Sequence, residues 1–484
     1  MTGTASAEHS DSPPAAPPPG RGLATGSLRL GRTIAMSVGI QGPTAGVIIG
    51  PAIIAGIVGR PGALAQVLGL VAMAFVAYAF VMFTRTFNSA SSVYAFNGTA
   101  VGPRYGLVSA WLMLLVYTSF AAGVYASTAD IAQVLAAGFG LHAPWMVFAL
   151  VGAALSGWLA YRSISLSSIV ILVCEAAAIL LVLVVGVVVL AKGGYAHHGV
   201  STAAFSPHGA QPSVLVLGVV AVFGQFSGFE GAATLGDEAR HSTRTVPVAI
   251  AGSLLLSAAV YIFVTWSVYA AYPSPAAVAA DPAPLVHVAS RYLSPALGTA
   301  VNAAGVISAF GAQLACVNAA SRLLYALTRD LGGSDHPLAR TSRRHRSPVG
   351  ALAVVGPVSV LALLGFGAEP TAARAATLLI QYGSYLIIVG YLLTVVAAVV
   401  WVWRHRRSPI PLAVLTTGVL VLGYIVFATF DPLPDPPFAQ IALVALLSLV
   451  AGVVAASVPR VRRRLGGSPL LNVTGTADGG QRVI

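Results

Sequence analysis

Two clusters of helix-breaking residues interrupt long apolar stretches, and each could bind a charged group without using a charged side chain. The clusters are Gly39-Ile40-Gln41-Gly42-Pro43-Thr44-Ala45-Gly46 and Phe226-Ser227-Gly228-Phe229-Glu230-Gly231. A broken helix exposes free N–H groups where one half begins and free C=O groups where the other half ends. The N–H groups can hold an anion and the C=O groups a cation, so the two clusters together match a zwitterion.

The N–H groups of Thr44, Ala45 and Gly46 follow the first break, and we expect them to hold a carboxylate. The carbonyls between Phe226 and Phe229 are expected to accept hydrogen bonds from an ammonium group. Glycines in both clusters let a ligand approach the backbone closely. The alternative is that these glycines and the proline are ordinary features of membrane helices, whose neighbours satisfy the freed backbone groups.

Two carboxylates lie within apolar stretches, where an ionisable group is expensive and is a candidate for function. Glu230 follows the second break and could be a counter-charge for an ammonium, a proton-carrying switch, or a structural carboxylate bonded to freed N–H groups. Glu175 is the second coupling candidate, or else it joins neighbouring helices by hydrogen bonds. Tyr117 and Ser308 are polar residues on other spans that could complete the pocket, or else they serve helix packing. Further polar candidates are Thr118, Ser119, Gln313, Gln381, Tyr382 and Tyr385.

The elements that position these residues are predicted to be membrane-spanning helices. Of the 484 residues, 57% are hydrophobic and 8% are charged, whereas soluble domains carry about 25% charged residues. Spans are predicted near 33–58, 64–87, 105–137, 144–161, 166–191, 213–236, 246–271, 297–328, 349–367, 372–401, 411–430 and 438–458. The segments are too long and too uniformly apolar for barrel strands, so the sequence predicts an all-α integral membrane protein with about twelve helices.

The net charge of +12 is distributed in a way that indicates membrane topology and argues against nucleic-acid binding. Arginines cluster in alternate loops, which predicts that those loops and both termini face the cytoplasm. The broken spans lie five helices apart, as an inverted repeat of five plus five helices would place them. We therefore predict a disordered cytoplasmic tail (1–30), two five-helix repeats (31–192 and 213–402), two accessory helices (411–458) and a cytoplasmic C-terminal tail (459–484).

No constellation for catalysis is apparent in the sequence. A clustered nucleophile and base, a set of metal ligands, a phosphate-binding loop and a filter-like repeat are all missing, which argues against an enzyme, a metal site, a bound cofactor and a channel. Cys174 and Cys316 fall inside apolar spans and do not indicate a disulfide or a metal site. A sensing role without net flux stays open.

A family resemblance rests on the stretch from Phe226 to Arg240, on Arg244-Thr245-Val246-Pro247, on Asn318 to Asp330 and on Gly42-Pro43. These motifs resemble the amino acid–polyamine–organocation (APC) permeases over about residues 30–460. The resemblance implies a LeuT-type fold with broken helices 1 and 6, alternating access around them, and proton coupling or substrate exchange. It also implies that the substrate carboxylate binds at residues 42–46 and its ammonium at residues 226–229.

By the same resemblance, Asp237 and Glu238 would be gate residues at the cytoplasmic end of the sixth helix. Two departures from the family pattern are present. Gly224 stands where some relatives carry an aromatic gate, and the fifth helix has no lysine before Lys192 at its outer end. The second departure leaves the coupling ion open.

The resulting expectation is a secondary active transporter in a bacterial plasma membrane that moves an amino acid by alternating access with protons. The alternatives are a polyamine or amine carrier and an amino acid exchanger. The expected partners are the small-molecule substrate, protons and the lipid bilayer.

Overall fold

The computed structural model describes residues 23, 26–87, 92–162, 164–197, 199–207, 209–405, 407–431 and 435–468. Strands are absent from these ranges, and the chain there is helical, as predicted. The α-helices are α1 (Leu30–Gln41), α2 (Pro43–Val58), α3 (Gly62–Thr86), α4 (Val93–Ala100), α5 (Pro103–Ala137), α6 (Trp145–Arg162), α7 (Ile164–Ala191), α8 (Pro212–Phe226), α9 (Ser242–Ala271), α10 (Pro275–Ala279), α11 (Pro284–Tyr292), α12 (Pro295–Gly332), α13 (Val349–Gly365), α14 (Ala372–His405), α15 (Pro409–Phe430), α16 (Phe438–Ser457) and α17 (Pro459–Gly466).

Eleven helical segments of the described chain are long and apolar enough to cross a bilayer. Two of them are interrupted: α1 and α2 form one segment, and α8 with the 3₁₀ turn Phe229–Leu235 forms another. The ninth predicted span is the shorter apolar helix α13, of 17 residues. Such a helix is about 25 Å long, near the lower limit for crossing the hydrocarbon core.

Proline begins several of the long helices. It occupies the first position of α2, α5, α8, α12 and α15, where the first-turn N–H has no partner within the helix and the fixed φ of proline suits helix entry. At the start of α12, the Ser294 hydroxyl also accepts from the Leu297 N–H at 3.3 Å. Helix starts in this chain therefore depend mainly on proline and less on side-chain caps.

The core of the bundle is built from α5, α12 and α14 together with the two interrupted segments. Helix α5 packs along both α12 and α14, α3 packs along α9, and α7 packs along α12. Helices α15 and α16 lie at the periphery, since only 22% and 17% of their most apolar windows are buried, against 67% for α5 and α12. The remaining apolar surface of the two peripheral helices is available to lipid.

Contacts between connecting segments define the two ends of the bundle. One end contains Arg85, Arg240 and Arg340 and is called here the arginine-rich end. There the Leu28 N–H donates to the Glu238 carbonyl at 3.0 Å, and Tyr94 donates to Asp330 at 2.6 Å. At the opposite end, Lys192 donates to the Tyr292 carbonyl at 2.6 Å. Leu28 is fully buried, so ordered contacts begin within the predicted tail 1–30; residues 1–22 of that tail lie outside the described residues.

Candidate functional site

The first break lies at Gly42, between α1 and α2. Gly42 has φ 50° and ψ 56°, a left-handed conformation that glycine adopts without steric cost, and its N–H donates to the carbonyls of Val38 and Gly39. Pro43 then begins α2. A Cβ at position 42 would lie 3.3 Å from Ala312 Cβ, so α12 passes close to the break.

The N–H groups at the start of α2 are occupied by side chains of this chain. Thr44 N–H donates to Glu175 Oε1 at 3.2 Å, and Ala45 N–H donates to Ser308 Oγ at 3.1 Å. Ser308 in turn donates to Glu175 Oε1 at 3.0 Å, and Gly46 N–H returns to the Gly42 carbonyl at 2.9 Å. We call Thr44, Ala45, Glu175 and Ser308 the Glu175 cluster. The carboxylate at the predicted anion site is therefore the side chain of Glu175.

Two oxygen atoms of the Glu175 cluster make no well-aligned hydrogen bond among the described residues, although the Thr44 side chain lies close enough to interact with the Glu175 carboxylate. They are Glu175 Oε2 and Thr44 Oγ1, and both residues are buried. Within the described chain, Glu175 also forms no ion pair with a lysine, arginine or histidine. The cluster therefore leaves acceptor capacity unused in a desolvated place, where such capacity is costly.

The second break separates α8 from the 3₁₀ turn Phe229–Leu235. Ser227 is extended, and Gly228 has φ 105°, which disfavours any residue with a side chain. A Cβ at Gly228 would lie 2.3 Å from Ile40 Cγ2, so the second break packs directly on the end of α1. The two breaks therefore meet inside the bundle.

Glu230 is fully buried immediately after the second break. Its Oε1 accepts from the Tyr117 hydroxyl at 2.8 Å, and its Oε2 accepts from the Gly228 N–H at 3.0 Å and from the Tyr391 hydroxyl. We call Tyr117, Gly228, Glu230 and Tyr391 the Glu230 cluster. No cation pairs with Glu230 in the described part of the chain. The carboxylate joins α5 and α14 across the freed backbone of the break.

The carbonyls predicted to hold an ammonium accept from side chains of α1. Gln41 Nε2 donates to the Phe226 carbonyl at 3.1 Å, and Ser37 Oγ donates to the Phe229 carbonyl at 2.6 Å. The Tyr261 hydroxyl lies 3.1 Å from the Gln41 carbonyl and 3.0 Å from the Gln225 carbonyl. Polar side chains thus link the two broken helices where a ligand was predicted to lie.

A buried ion pair lies near the arginine-rich end, after the second break along the chain. Arg322 donates from Nε to Glu238 Oε2 at 2.6 Å and from Nη2 to Oε1 at 3.3 Å, and both side chains are fully buried. Arg322 also donates to Asn318 Oδ1 at 2.9 Å. Asp237 instead lies 3.7 Å from Arg329 in a partly exposed pair. Of the two predicted gate residues, only Glu238 is sealed in the protein interior.

Comparison with known proteins identifies the family. The model of the amino acid permease family matches residues 29–471. The chain belongs to the amino acid permease family. This result confirms the resemblance to APC permeases that the broken-helix motifs carry.

The permease is also similar to curated bacterial transporters. These include the branched-chain amino acid permease BcaP of Lactococcus lactis, 26% identical over 63% of this chain and 67% of that protein. The low-affinity putrescine importer PlaP of Escherichia coli K12 is 25% identical over 63% and 69%, and the methylthioribose transporter of Bacillus subtilis is 24% identical over 65% and 68%. The chain is therefore a multi-pass membrane permease.

The permease brings some predicted site residues together and leaves others apart. Thr44, Ala45 and Ser308 meet at the first break, and Tyr117 meets Glu230 at the second. Several further polar candidates have partners elsewhere. Thr118 bonds Leu114, Ser119 bonds Leu379, Gln313 bonds Gly152, Tyr382 bonds Ser448, and Tyr385 packs on Phe430.

Sequence reasoning did not select several residues that contact the breaks. Tyr391 on α14 is the clearest example, since the tyrosines selected on that span were Tyr382 and Tyr385. Tyr261 on α9 and Ser37 on α1 are also not among the predicted site residues. Arg322, which pairs with Glu238 after the second break, is predicted only as part of a family motif. A polar side chain inside an apolar span was the signal they share, but it does not tell which face of the helix meets the break.

Proposed function

We propose that the chain is a secondary active transporter that moves a small solute bearing an ammonium group, an amino acid or a related amine, by alternating access. One observation carries the proposal: the two broken helices meet in the core beside two buried carboxylates, Glu175 and Glu230, that no cation of the described chain neutralises. A buried, unpaired carboxylate is costly, and an ammonium group or a proton would relieve that cost.

The hydrogen bonds between the two broken helices support a transported ligand that carries an ammonium group. The hydrogen bonds that link the breaks, from Gln41 and Ser37 to the carbonyls of Phe226 and Phe229, are ones that an ammonium group could replace. Two relatives are named for a branched-chain amino acid and for putrescine, and both of these solutes carry an ammonium group. The proposal therefore covers both substrate classes.

Helix packing supports an inverted repeat of the LeuT type, with units at 31–192 and 213–402. In such a repeat each helix of the first unit has a counterpart in the second: α1 corresponds to α8, α3 to α9, α5 to α12, α6 to α13 and α7 to α14. A contact between two helices should then recur between their counterparts. Helix α5 packs on α14 as α12 packs on α7, α1 packs on α9 as α8 packs on α3, and α6 packs on α12 as α13 packs on α5. In this arrangement, α15 and α16 are accessory helices.

The arrangement of charge supports an orientation in a bacterial plasma membrane. Arg85, Arg240 and Arg340 belong to the arginine-rich end, which we propose faces the cytoplasm together with both termini. The buried Glu238–Arg322 pair would then close the cytoplasmic side. A protease-cleavable C-terminal tag should be cut in inside-out vesicles and protected in right-side-out vesicles; the opposite pattern would reverse the orientation.

Proton symport is the proposed coupling, with Glu230 and Glu175 as the candidate proton carriers. Both are buried and both lie at a break, so a change of charge on either would act on the helices that must move. Exchange of internal for external solute is the alternative. A proton gradient distinguishes the two modes, because only symport is accelerated by it.

The test is uptake of labelled amino acids and amines into proteoliposomes, with and without an inward proton gradient. Glu230→Gln should abolish stimulation by the gradient, because the amide cannot carry the proton. Glu369→Gln is the matched control, since Glu369 lies in the loop before α14, pairs with Arg374 in the first turn of that helix, and is far from the breaks in sequence. Gradient-stimulated uptake that Glu230→Gln leaves intact would exclude Glu230 as the carrier, and counterflow indifferent to the gradient would indicate exchange.

A further inference from the structure

We propose that Glu175 takes the place of a substrate carboxylate at the start of α2, and that it thereby selects solutes that carry an ammonium group without a neighbouring carboxylate. This inference rests on the proposed transport function and narrows its substrate class. It assigns to Glu175 a role as a specificity-determining residue.

The first step concerns donors. Pro43 has no N–H, Thr44 N–H donates to Glu175, Ala45 N–H donates to Ser308, and Gly46 N–H donates back to Gly42. Every N–H group in the first turn of α2 is thus absent or engaged within the protein. A substrate carboxylate could bind there only by displacing the side chain of Glu175 or that of Ser308.

The second step concerns charge. Glu175 stands on the continuous helix α7, so a displaced carboxylate would remain buried close to the incoming one. No cation of the described chain pairs with it. Two like charges held near one set of donors repel each other strongly in a desolvated site. The cluster therefore opposes a second carboxylate.

The third step concerns the second oxygen of the Glu175 carboxylate. Glu175 Oε2 is buried and accepts no well-aligned hydrogen bond from the described residues. A carboxylate oxygen can only accept hydrogen bonds, and an ammonium group carries three donors. The free capacity of the cluster thus suits a cationic donor, and Glu230 adds a second buried negative charge beside the other break.

The experiment uses two solute pairs whose members differ by a single carboxylate: putrescine with ornithine, and 3-methylbutylamine with leucine. Uptake of each labelled compound into proteoliposomes is measured for the wild type, Glu175→Ala, the isosteric Glu175→Gln and the control Glu369→Ala. We expect the wild type to prefer the amine of at least one pair. Glu175→Ala should shift the ratio of amine to amino acid uptake by tenfold or more toward the amino acid, and Glu175→Gln should shift it less in the same direction.

Each other outcome has a defined meaning. Wild-type preference for the amino acid in both pairs would overturn the inference and leave the proposed transport function standing. An unchanged ratio in both Glu175 variants would overturn the role of Glu175. If Glu175→Ala fails to fold, judged by size-exclusion chromatography, Glu175→Gln decides the question alone. If the wild type takes up none of the four solutes but takes up another amino acid of the wider panel, the inference is overturned and the proposed function stands. Uptake of no amino acid or amine of the panel would refute the proposed function, and the inference with it.

Discussion

The buried ion pair between Glu238 and Arg322 leads to a quantitative prediction. Both side chains are fully buried, and Arg322 makes two contacts to the carboxylate, at 2.6 and 3.3 Å. Arg322→Met would leave the carboxylate of Glu238 desolvated without its partner, which costs about 3–5 kcal/mol. That loss corresponds to a decrease of roughly 150- to 5,000-fold in the ratio of folded to unfolded protein.

The measurement is reversible unfolding in mixed micelles for the wild type and three variants. Arg329→Met is the matched control, because Arg329 forms a partly exposed pair with Asp237 at 3.7 Å, and its loss should cost less than about 1 kcal/mol. The double variant Glu238→Met/Arg322→Met removes both buried charges and should recover most of the stability lost in the single variant.

The same substitution should open the arginine-rich end. Cys316 lies six residues before Arg322 on α12, about 9 Å along the helix, and is fully buried. In a Cys174→Ala background, Arg322→Met should accelerate maleimide labelling of Cys316. If Arg322→Met costs no more than Arg329→Met and leaves labelling unchanged, the reasoning that this pair seals the bundle is refuted.

Three further predictions concern single positions. Tyr391→Phe removes one of three donors to Glu230 and should lower the free energy of unfolding in mixed micelles by about 1.5–3 kcal/mol; a loss below about 0.5 kcal/mol would contradict that hydrogen bond. Gly228→Ala should lower the free energy of unfolding by more than about 2 kcal/mol, because Gly228 has a φ of 105° and its added Cβ would lie 2.3 Å from Ile40. Gly423→Ala, where a Cβ meets nothing within 4 Å, should be neutral or stabilising. Equal effects of the two substitutions would refute the argument. Partial burial opposes ionisation of Asp281, but hydrogen bonds from Tyr272 and its loop neighbours hold the pKa of this carboxyl below its usual value. The ionised carboxylate therefore contributes to folding stability at neutral pH, and this contribution is lost as pH falls below about 4. The difference in unfolding free energy between wild type and Asp281→Asn should shrink below that pH, and a constant difference would contradict the prediction.

The interrupted helices were predictable because glycine and proline change the local backbone conformation by their residue type alone. Glycine and proline inside an apolar run are strong local signals, and both Gly42 and Gly228 adopt the positive φ that such signals indicate. Span boundaries were predictable for the same reason, since hydropathy is local. α13 was predicted to residue 367 and ends at Gly365. Local rules thus account for most of the fold.

The partners of the site residues were not predictable from one sequence. Glu175 and Thr44 are separated by 131 residues, and Tyr391 and Glu230 by 161. Contacts over such distances depend on how each helix is rotated in the bundle, and the apolar spans are hydrophobic on nearly every face. Periodicity therefore carries little information about which side chain faces the breaks. The identification of Glu175 as the occupant of the anion site required the packed structure.

The two coupling candidates differ in how many hydrogen bonds the protein makes to them, and from this difference we propose different roles for them. Glu230 accepts from Tyr117, Tyr391 and the Gly228 N–H, so both of its oxygens are engaged in joining α5 and α14 across the break. A proton on Glu230 would take acceptor capacity from these donors and loosen that joint. Glu175 has one oxygen engaged and one without a well-aligned hydrogen bond, so it can gain a ligand contact without giving up those to Thr44 N–H and Ser308. We therefore propose Glu175 as the contact for a solute and Glu230 as the group whose charge controls the movement of the broken helix.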